Sequence, residues 1–124
     1  MNPFTQFLAR PLARHRFTRF VNLWDQGERL IIQTFREEGD PRTDREAWRK
    51  LRPALHREYP RWCKQLLPFW QQAKLDGKPA QEDPFLALLR VDELADFRDN
   101  WVAMQTLPVA REAINRFLLE VLRD

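Results

Sequence analysis

Apolar side chains recur every three or four residues along nearly the whole chain, and this spacing favours helices throughout. Over residues 13–38 they fall within about 120° of a helical wheel, which predicts one long helix with a core-facing stripe. The stripe consists of Phe17, Phe20, Val21, Trp24, Ile31, Ile32 and Phe35. No stretch shows the alternation typical of strands. We therefore expect an all-α fold, a single compact helical bundle of about five to six helices over residues 1–124.

Prolines punctuate this helical pattern. The chain has nine of them, and a proline inside a helix removes a backbone donor and clashes with the preceding turn. Pro11 therefore predicts that residues 1–12 form an N-terminal lead, separate from the first long helix. In the middle of the chain we expect breaks near Pro53 and Pro60, and Pro108 predicts that the last helix starts anew there.

Turn and capping residues set the other expected helix ends. Gly39 is placed to end the first long helix, and Thr43 with Glu46 has the spacing of a capping box that starts the next one. Gly27 lies inside the first helix, where glycine lowers stability relative to alanine. It therefore indicates either a close helix crossing or a bend.

The second half of the chain contains one clear loop. Residues 59–73 share an apolar helical face, and residues 76–83 are rich in turn formers and charges. Asp83, followed by proline, is expected to cap a short helix. The apolar residues of 94–104 have the spacing of one further helix, which would bury Trp101 with the other four tryptophans.

Charge is divided unevenly along the chain. Residues 1–64 contain 14 Lys and Arg against 8 Asp and Glu, whereas residues 65–124 contain 7 against 10. Two arginine clusters account for much of the basic half. The first, Arg45, Arg49 and Arg52, lines one face of the helix after the capping box; the second contains Arg10, Arg14, Arg16 and Arg19. Guanidinium groups bind phosphate well, so these clusters are candidate phosphate or partner contacts.

Residues suited to catalysis or metal binding are sparse. Cys63 is the single cysteine, and it lacks the spacing to His15 and His56 that a metal site requires. Acidic residues at 92–99 are expected to face water. We therefore expect no catalytic residue, metal or cofactor. No apolar run approaches the about 18 residues of a membrane span, and the N-terminus lacks a signal-peptide layout, so we expect a cytoplasmic protein.

Two functions remain open from the sequence. Leu23 and Leu30 form a second apolar face that either the N-terminal lead or a second chain could cover. This favours a non-enzymatic adaptor or assembly module that binds another protein or itself. In a self-assembly, the basic cluster Arg45, Arg49 and Arg52 of one copy could face Asp92, Asp96 and Asp99 of another. The alternative is a nucleic-acid-binding accessory subunit that uses the basic N-terminal half.

Overall fold

A computed structural model describes residues 3–97 and 101–122, without the side chains of residues 3–10, 75, 102 and 103. The α-helices are α1 (Pro3–Arg36), α2 (Pro41–Glu58), α3 (Cys63–Gln72), α4 (Leu86–Leu89) and α5 (Trp101–Glu120). Two 3₁₀ helices, Tyr59–Arg61 and Leu94–Phe97, and a two-stranded ribbon, β1 (Lys74–Leu75) and β2 (Lys78–Pro79), complete the described elements. The predicted all-α fold is confirmed.

The core is an aromatic cluster between α1, the 3₁₀ helix Tyr59–Arg61, α4 and α5. Phe17 of α1 lies 4.7 Å from Phe117 of α5, measured between ring centroids. Trp24 of α1 lies 4.9 Å from Phe85, which precedes α4. In the predicted stripe Phe17, Phe20, Trp24 and Ile31 are fully buried, whereas Val21, Ile32 and Phe35 are half-buried. The helical periodicity therefore identified the central side chains of the core correctly.

The predicted separate N-terminal lead is wrong, because α1 continues from Pro3 through Pro11 to Arg36 without interruption. Residues 3–12 are the first turns of this helix. They cannot fold back over Leu23, because residue 12 lies about 17 Å away from residue 23 along one helix axis.

The prolines inside the helices all lie on exposed helix sides, which explains why the helices continue through them. Pro11, Pro53, Pro68 and Pro108 lie inside α1, α2, α3 and α5, respectively, and all four are exposed. On an exposed face, water can hydrate the carbonyl that loses its partner. The breaks predicted near Pro53 and at Pro108 are therefore wrong, whereas the break predicted near Pro60 is present as the 3₁₀ helix Tyr59–Arg61.

Replacing Pro53 with alanine is expected to stabilise the protein by about 1–2 kcal/mol. The substitution restores an interior helix hydrogen bond, and the greater freedom of alanine in the unfolded chain offsets part of that gain. Pro41→Ala is the matched control, because Pro41 is at the first position of the same helix, where proline is favourable. Urea unfolding measures both variants. Equal effects of the two substitutions would contradict the interpretation that Pro53 costs a hydrogen bond in the middle of α2.

The start of α2 differs from the predicted capping box. Asp40 is the N-cap, and its carboxylate accepts hydrogen bonds from the backbone N–H of Arg42 and, at 2.8 Å, from the Thr43 hydroxyl. The ring of Pro41 fixes its φ near the helical value, which suits the first position of a helix. This favours a helix start at Pro41 over a start after Thr43. The hydrogen bond from Thr43, with that from Arg42, lowers the pKa of Asp40. Because the folded pKa is depressed, the ionised cap stabilises the fold above the ordinary carboxyl pKa and loses that effect as pH falls through the folded value.

The end of α1 also differs from its prediction. Glu37, rather than Gly39, adopts the left-handed conformation, with φ of 57°. The Glu37 N–H donates to the Thr34 carbonyl and the Glu38 N–H donates to the Gln33 carbonyl, which is the Schellman pattern. Gly39 has a different role: a Cβ there would overlap the buried carboxylate of Asp44.

Gly27 marks a close helix crossing, the first of its two predicted alternatives. A Cβ at this position would lie 3.3 Å from a methyl of Leu55 and 3.4 Å from methyls of Leu51 and Leu88. Glycine therefore lets α2 and α4 approach the α1 backbone. Because the three methyls already fill the space beside Gly27, a larger residue would force them apart.

The predicted loop at 76–83 begins as a tight hairpin. Asp76 and Gly77 both have positive φ, 53° and 78°, between the two short strands. This is the two-residue turn that an Asp-Gly pair favours. Asp83 caps the turn before α4 rather than α4 itself: its carboxylate accepts the Phe85 N–H at 2.9 Å, whereas the N-cap of α4 is Phe85.

Candidate interaction surfaces

The three arginines predicted as partner contacts on α2 have different surroundings. Arg45 and Arg49 are exposed, and neither forms an ion pair within the described part of the chain. Arg52 is half-buried. Its Nε donates to the Val91 carbonyl at 2.9 Å and its Nη2 donates to Asp92. Arg52 and Asp92, which in a self-assembly could have faced each other between copies, therefore pair within one chain. Asp99 lies outside the described residues.

The predicted phosphate cluster on α1 does not form a single patch. At about 100° per residue, Arg14 and Arg16 lie about 160° apart around the helix axis. Arg14 donates to the Leu122 carbonyl at 2.8 Å, two residues beyond the end of α5. Arg16 and Arg19 are exposed on the other side of α1, and the side chain of Arg10 lies outside the described residues.

Leu23 and Leu30, the predicted second apolar face of α1, are half-buried and pack against the core. The N-terminal lead does not supply their cover, because it belongs to the same helix. Their remaining exposed surface lies on the side of α1 that carries Arg16 and Arg19, within about 60° of arc. The two kinds of site predicted on α1 thus share one side of the helix.

The residues considered for catalysis or metal binding are dispersed. Cys63 is half-buried, and its thiol donates to the Pro60 carbonyl at 3.3 Å. His56 is exposed on α2. In residues 3–97 and 101–122, no three His, Cys, Asp or Glu side chains lie close enough together to hold a metal ion. Every helix of those residues lacks the length or the apolar content to cross a bilayer.

A partly buried polar pair, Tyr59 and Asp83, lies near the core. The Tyr59 hydroxyl donates to Asp83, the residue that caps the turn before α4. Burial, and next the hydrogen bond to Asp83, raise the pKa of Tyr59 above its ordinary value. The phenol therefore stays protonated and serves as a hydrogen-bond donor, which ties the 3₁₀ helix Tyr59–Arg61 to the segment before α4.

The outward side of α5 carries the two most exposed large apolar side chains among those that the structure describes. Trp101 is 61% exposed and Leu119 is 66% exposed. They are eighteen residues apart, so they lie on the same side of the helix, separated by about 27 Å. The side chains between them on this side are polar or proline. We define the α5 face as Trp101, Gln105, Pro108, Glu112, Asn115 and Leu119, which lie within about 80° of one another.

The α5 face has little net charge. Glu112 is its one charged residue, and the Glu112 carboxylate lies 3.4 Å from Nε of Arg116 on the next turn. Interfaces between proteins are depleted of charge at their centres and enriched in tryptophan. The α5 face contains a tryptophan, and its one charge, Glu112 near the centre, is offset by Arg116. By contrast, the outward side of α2 carries Arg42, Arg45 and Arg49 within about 60°.

A groove adjoins the Trp101 end of the α5 face, between α1 and α5. Its volume is about 410 Å³, and its apolar wall contains Ile32, Phe35, Met104 and Leu107. The ring of Trp101 lies 5.8 Å from that of Phe35, between centroids. Trp101, Gln105 and Pro108 belong both to the groove and to the α5 face, so the groove opens onto that face.

The sequence interpretation missed the α5 face because it assigned Trp101 to the core. That assignment treated Leu94, Phe97, Trp101 and Met104 as one apolar face of a single helix. In the structure Leu94 and Phe97 belong to a 3₁₀ helix, whereas Trp101 begins α5. Among the described side chains of α5, the core-facing residues are Leu107, Val109, Ala110, Ala113, Ile114 and Phe117. On the helical wheel Trp101 is almost opposite the centre of these residues. A helical wheel predicts its exposure only when α5 is drawn as one continuous helix through Pro108.

Comparison of the chain with protein-family models, with curated proteins and with solved structures finds no match to any of them. The arguments for function therefore depend on the surfaces of this chain.

Proposed function

We propose that the chain is a helical protein-interaction module and that the α5 face is its docking surface. The observation that carries the proposal is the exposure of Trp101 and Leu119 on one nearly uncharged side of a helix. Trp101 also adjoins the apolar groove between α1 and α5, and contiguous exposed apolar surface is typical of interaction sites. Tryptophan is among the residues whose truncation most often weakens an interface.

The groove beside Trp101 gives the docking surface a concave part. A flat helix side provides few contacts per side chain, whereas a groove of about 410 Å³ can enclose an apolar side chain of the partner. Arg36 is exposed at the groove and can bind a carboxylate of the partner at its edge. We therefore expect the partner to present an exposed apolar residue on a helix.

Affinity capture from cells of the source organism tests this proposal. Trp101→Asp and Leu119→Asp are expected to reduce the recovery of the bound protein by at least about tenfold, because each places a charge where an apolar contact is buried. Leu12→Asp is the matched control, since Leu12 is 52% exposed on α1, outside the α5 face. Equal recovery with all three variants and the unaltered chain would contradict the proposal.

A second candidate function is nucleic-acid binding through α2. Arg42, Arg45 and Arg49 are exposed on one side of this helix, and no ion pair within the described residues neutralises them. No large apolar side chain is exposed on α2, so this side is suited to a hydrophilic polyanion rather than to a membrane. A row of arginines at helical spacing can contact successive phosphates of a nucleic-acid backbone.

Fluorescence anisotropy with a two-turn DNA duplex at several salt concentrations tests this second function. We expect affinity to fall steeply with salt, and Arg45→Glu with Arg49→Glu to reduce the slope of log K against log salt by about 2. Arg16→Glu with Arg19→Glu makes the same change in net charge on α1 and is expected to have the smaller effect. Failure of the unaltered chain to bind at low salt would contradict this function.

A further inference from the structure

We infer that the α5 face binds the α5 face of a second copy of this chain, with the two helices antiparallel across a two-fold axis. This inference rests on the proposed function and names its partner. It follows from the order of residues along the α5 face, from their chemistry and from the groove beside Trp101.

The spacing of the α5 face is the same in both directions. Its six residues are separated by four, three, four, three and four positions, so the pattern is symmetric about residue 110. Alternating steps of three and four place side chains along one line of a helix, on which a second helix can lie. An antiparallel partner centred on residue 110 places Trp101 opposite Leu119, Gln105 opposite Asn115, and Pro108 opposite Glu112.

The opposed residues are chemically compatible. Trp101 and Leu119 are both apolar and exposed, so their contact removes from water the two largest apolar side chains of the face. Gln105 and Asn115 both have amides, each of which can donate and accept a hydrogen bond. Glu112 lies near the two-fold axis, where its charge is already offset by Arg116 of its own helix. Glu112 of the second copy lies near the same axis and is offset by its own Arg116, so each of the two like charges is paired within its own chain.

The groove beside Trp101 can receive a side chain of the second copy. Trp101, Gln105 and Pro108 form the edge of the groove, so a side chain opposite Trp101 lies at its opening. In the antiparallel arrangement this side chain is Leu119 of the second copy. By symmetry Leu119 of the first copy enters the groove of the second, and each chain supplies one projecting leucine and one groove. Such reciprocal contacts are characteristic of two-fold dimers.

Light scattering after size-exclusion chromatography measures the association. One helix from each chain makes a small interface, so we expect a weak dimer that forms as concentration rises from low micromolar towards millimolar. Its mass would approach twice the 15.0 kDa of one chain. Leu119→Glu is expected to leave a monomer at every concentration, whereas Leu12→Glu, which changes another exposed leucine, is expected to leave the dimer intact.

Disulfide cross-linking tests the register. With Cys63→Ser removing the single native cysteine, Gln105→Cys and Asn115→Cys chains are prepared separately, mixed and oxidised. The proposed register brings position 105 of one copy opposite position 115 of the other, so the mixture is expected to form mixed disulfide dimers. Two Gln105→Cys chains would have their cysteines about 15 Å apart along the axis, beyond the reach of a disulfide.

The outcomes separate this inference from the proposed function. A mass of one chain at every concentration overturns the second copy as partner, yet the protein-interaction function stands if capture still depends on Trp101 and Leu119. A dimer that survives Leu119→Glu also overturns the inference. Cross-linking of Gln105→Cys with itself as readily as with Asn115→Cys overturns the antiparallel register.

Discussion

Replacing Trp24 with alanine is expected to lower the free energy of unfolding by about 3–5 kcal/mol, a large part of the total for a domain of this size. Trp24 is fully buried, and its ring packs edge-on against Phe85 at 4.9 Å. Truncation removes this ring and leaves a cavity that α1 and α4 cannot close without moving their backbones. Urea unfolding followed by circular dichroism gives the midpoint, and an unchanged slope would show that the loss is one of stability.

Two further tryptophan variants make this prediction specific. Trp24→Phe is expected to cost clearly less than Trp24→Ala, because no described residue accepts a hydrogen bond from the indole N–H and only part of the ring volume is lost. Trp101→Ala is expected to cost less than about 1 kcal/mol, because Trp101 is largely exposed. A cost at Trp101 as large as that at Trp24 would be incompatible with an exposed α5 face.

Periodicity could predict the core because burial and helical spacing are linked by geometry. Phe17, Phe20 and Trp24 return to one side of α1 at each turn, and that side packs on the rest of the chain. The capping hydrogen bond of Asp83 could be predicted because it is local, between its carboxylate and the N–H two residues later, although it caps a turn and not α4. Neither prediction depends on how distant segments meet.

The helix boundaries at prolines could not be predicted from residue type alone. The cost of an interior proline depends on whether water reaches the carbonyl that it leaves unpaired. Pro53 and Pro108 are on exposed sides, so α2 and α5 continue through them. A helical wheel shows whether a proline lies opposite the apolar stripe and is therefore exposed. The wheel can be drawn only after the helix is assumed to continue through the proline.

The candidate site depended on that same assumption. When α5 is divided at Pro108, Trp101 and Leu119 belong to different helices and no common face exists. When it is continuous, they are five turns apart on one side. The pairing of Arg52 within the chain depends on tertiary structure in the same way, since Asp92 reaches it from forty residues away in the sequence. Pairing of charges within a chain depends on the fold, which residue spacing does not specify.

Replacing Arg111 with methionine is expected to lower the free energy of unfolding by about 2 kcal/mol. Arg111 of α5 donates to both Asp25 and Glu28 of α1, and all three side chains are partly buried. Desolvation by burial lowers the pKa of Arg111, but its hydrogen bonds to Glu28 and Asp25 raise it by more. Methionine keeps the apolar stem and removes the charge, so the two carboxylates then repel each other without a cation between them.

The triple variant Asp25→Asn, Glu28→Gln, Arg111→Met separates this repulsion from lost packing. It is expected to recover most of the stability that Arg111→Met loses, because no unpaired charge remains. Added salt is expected to narrow the deficit of the single variant, since screening weakens the repulsion between the carboxylates. Urea unfolding at low and high salt measures both effects. Because Glu28 also lines the groove beside Trp101, Arg111 links α5 to one wall of the proposed docking surface. If Arg111→Met left stability unchanged at low salt, that link between α1 and α5 would not exist in solution.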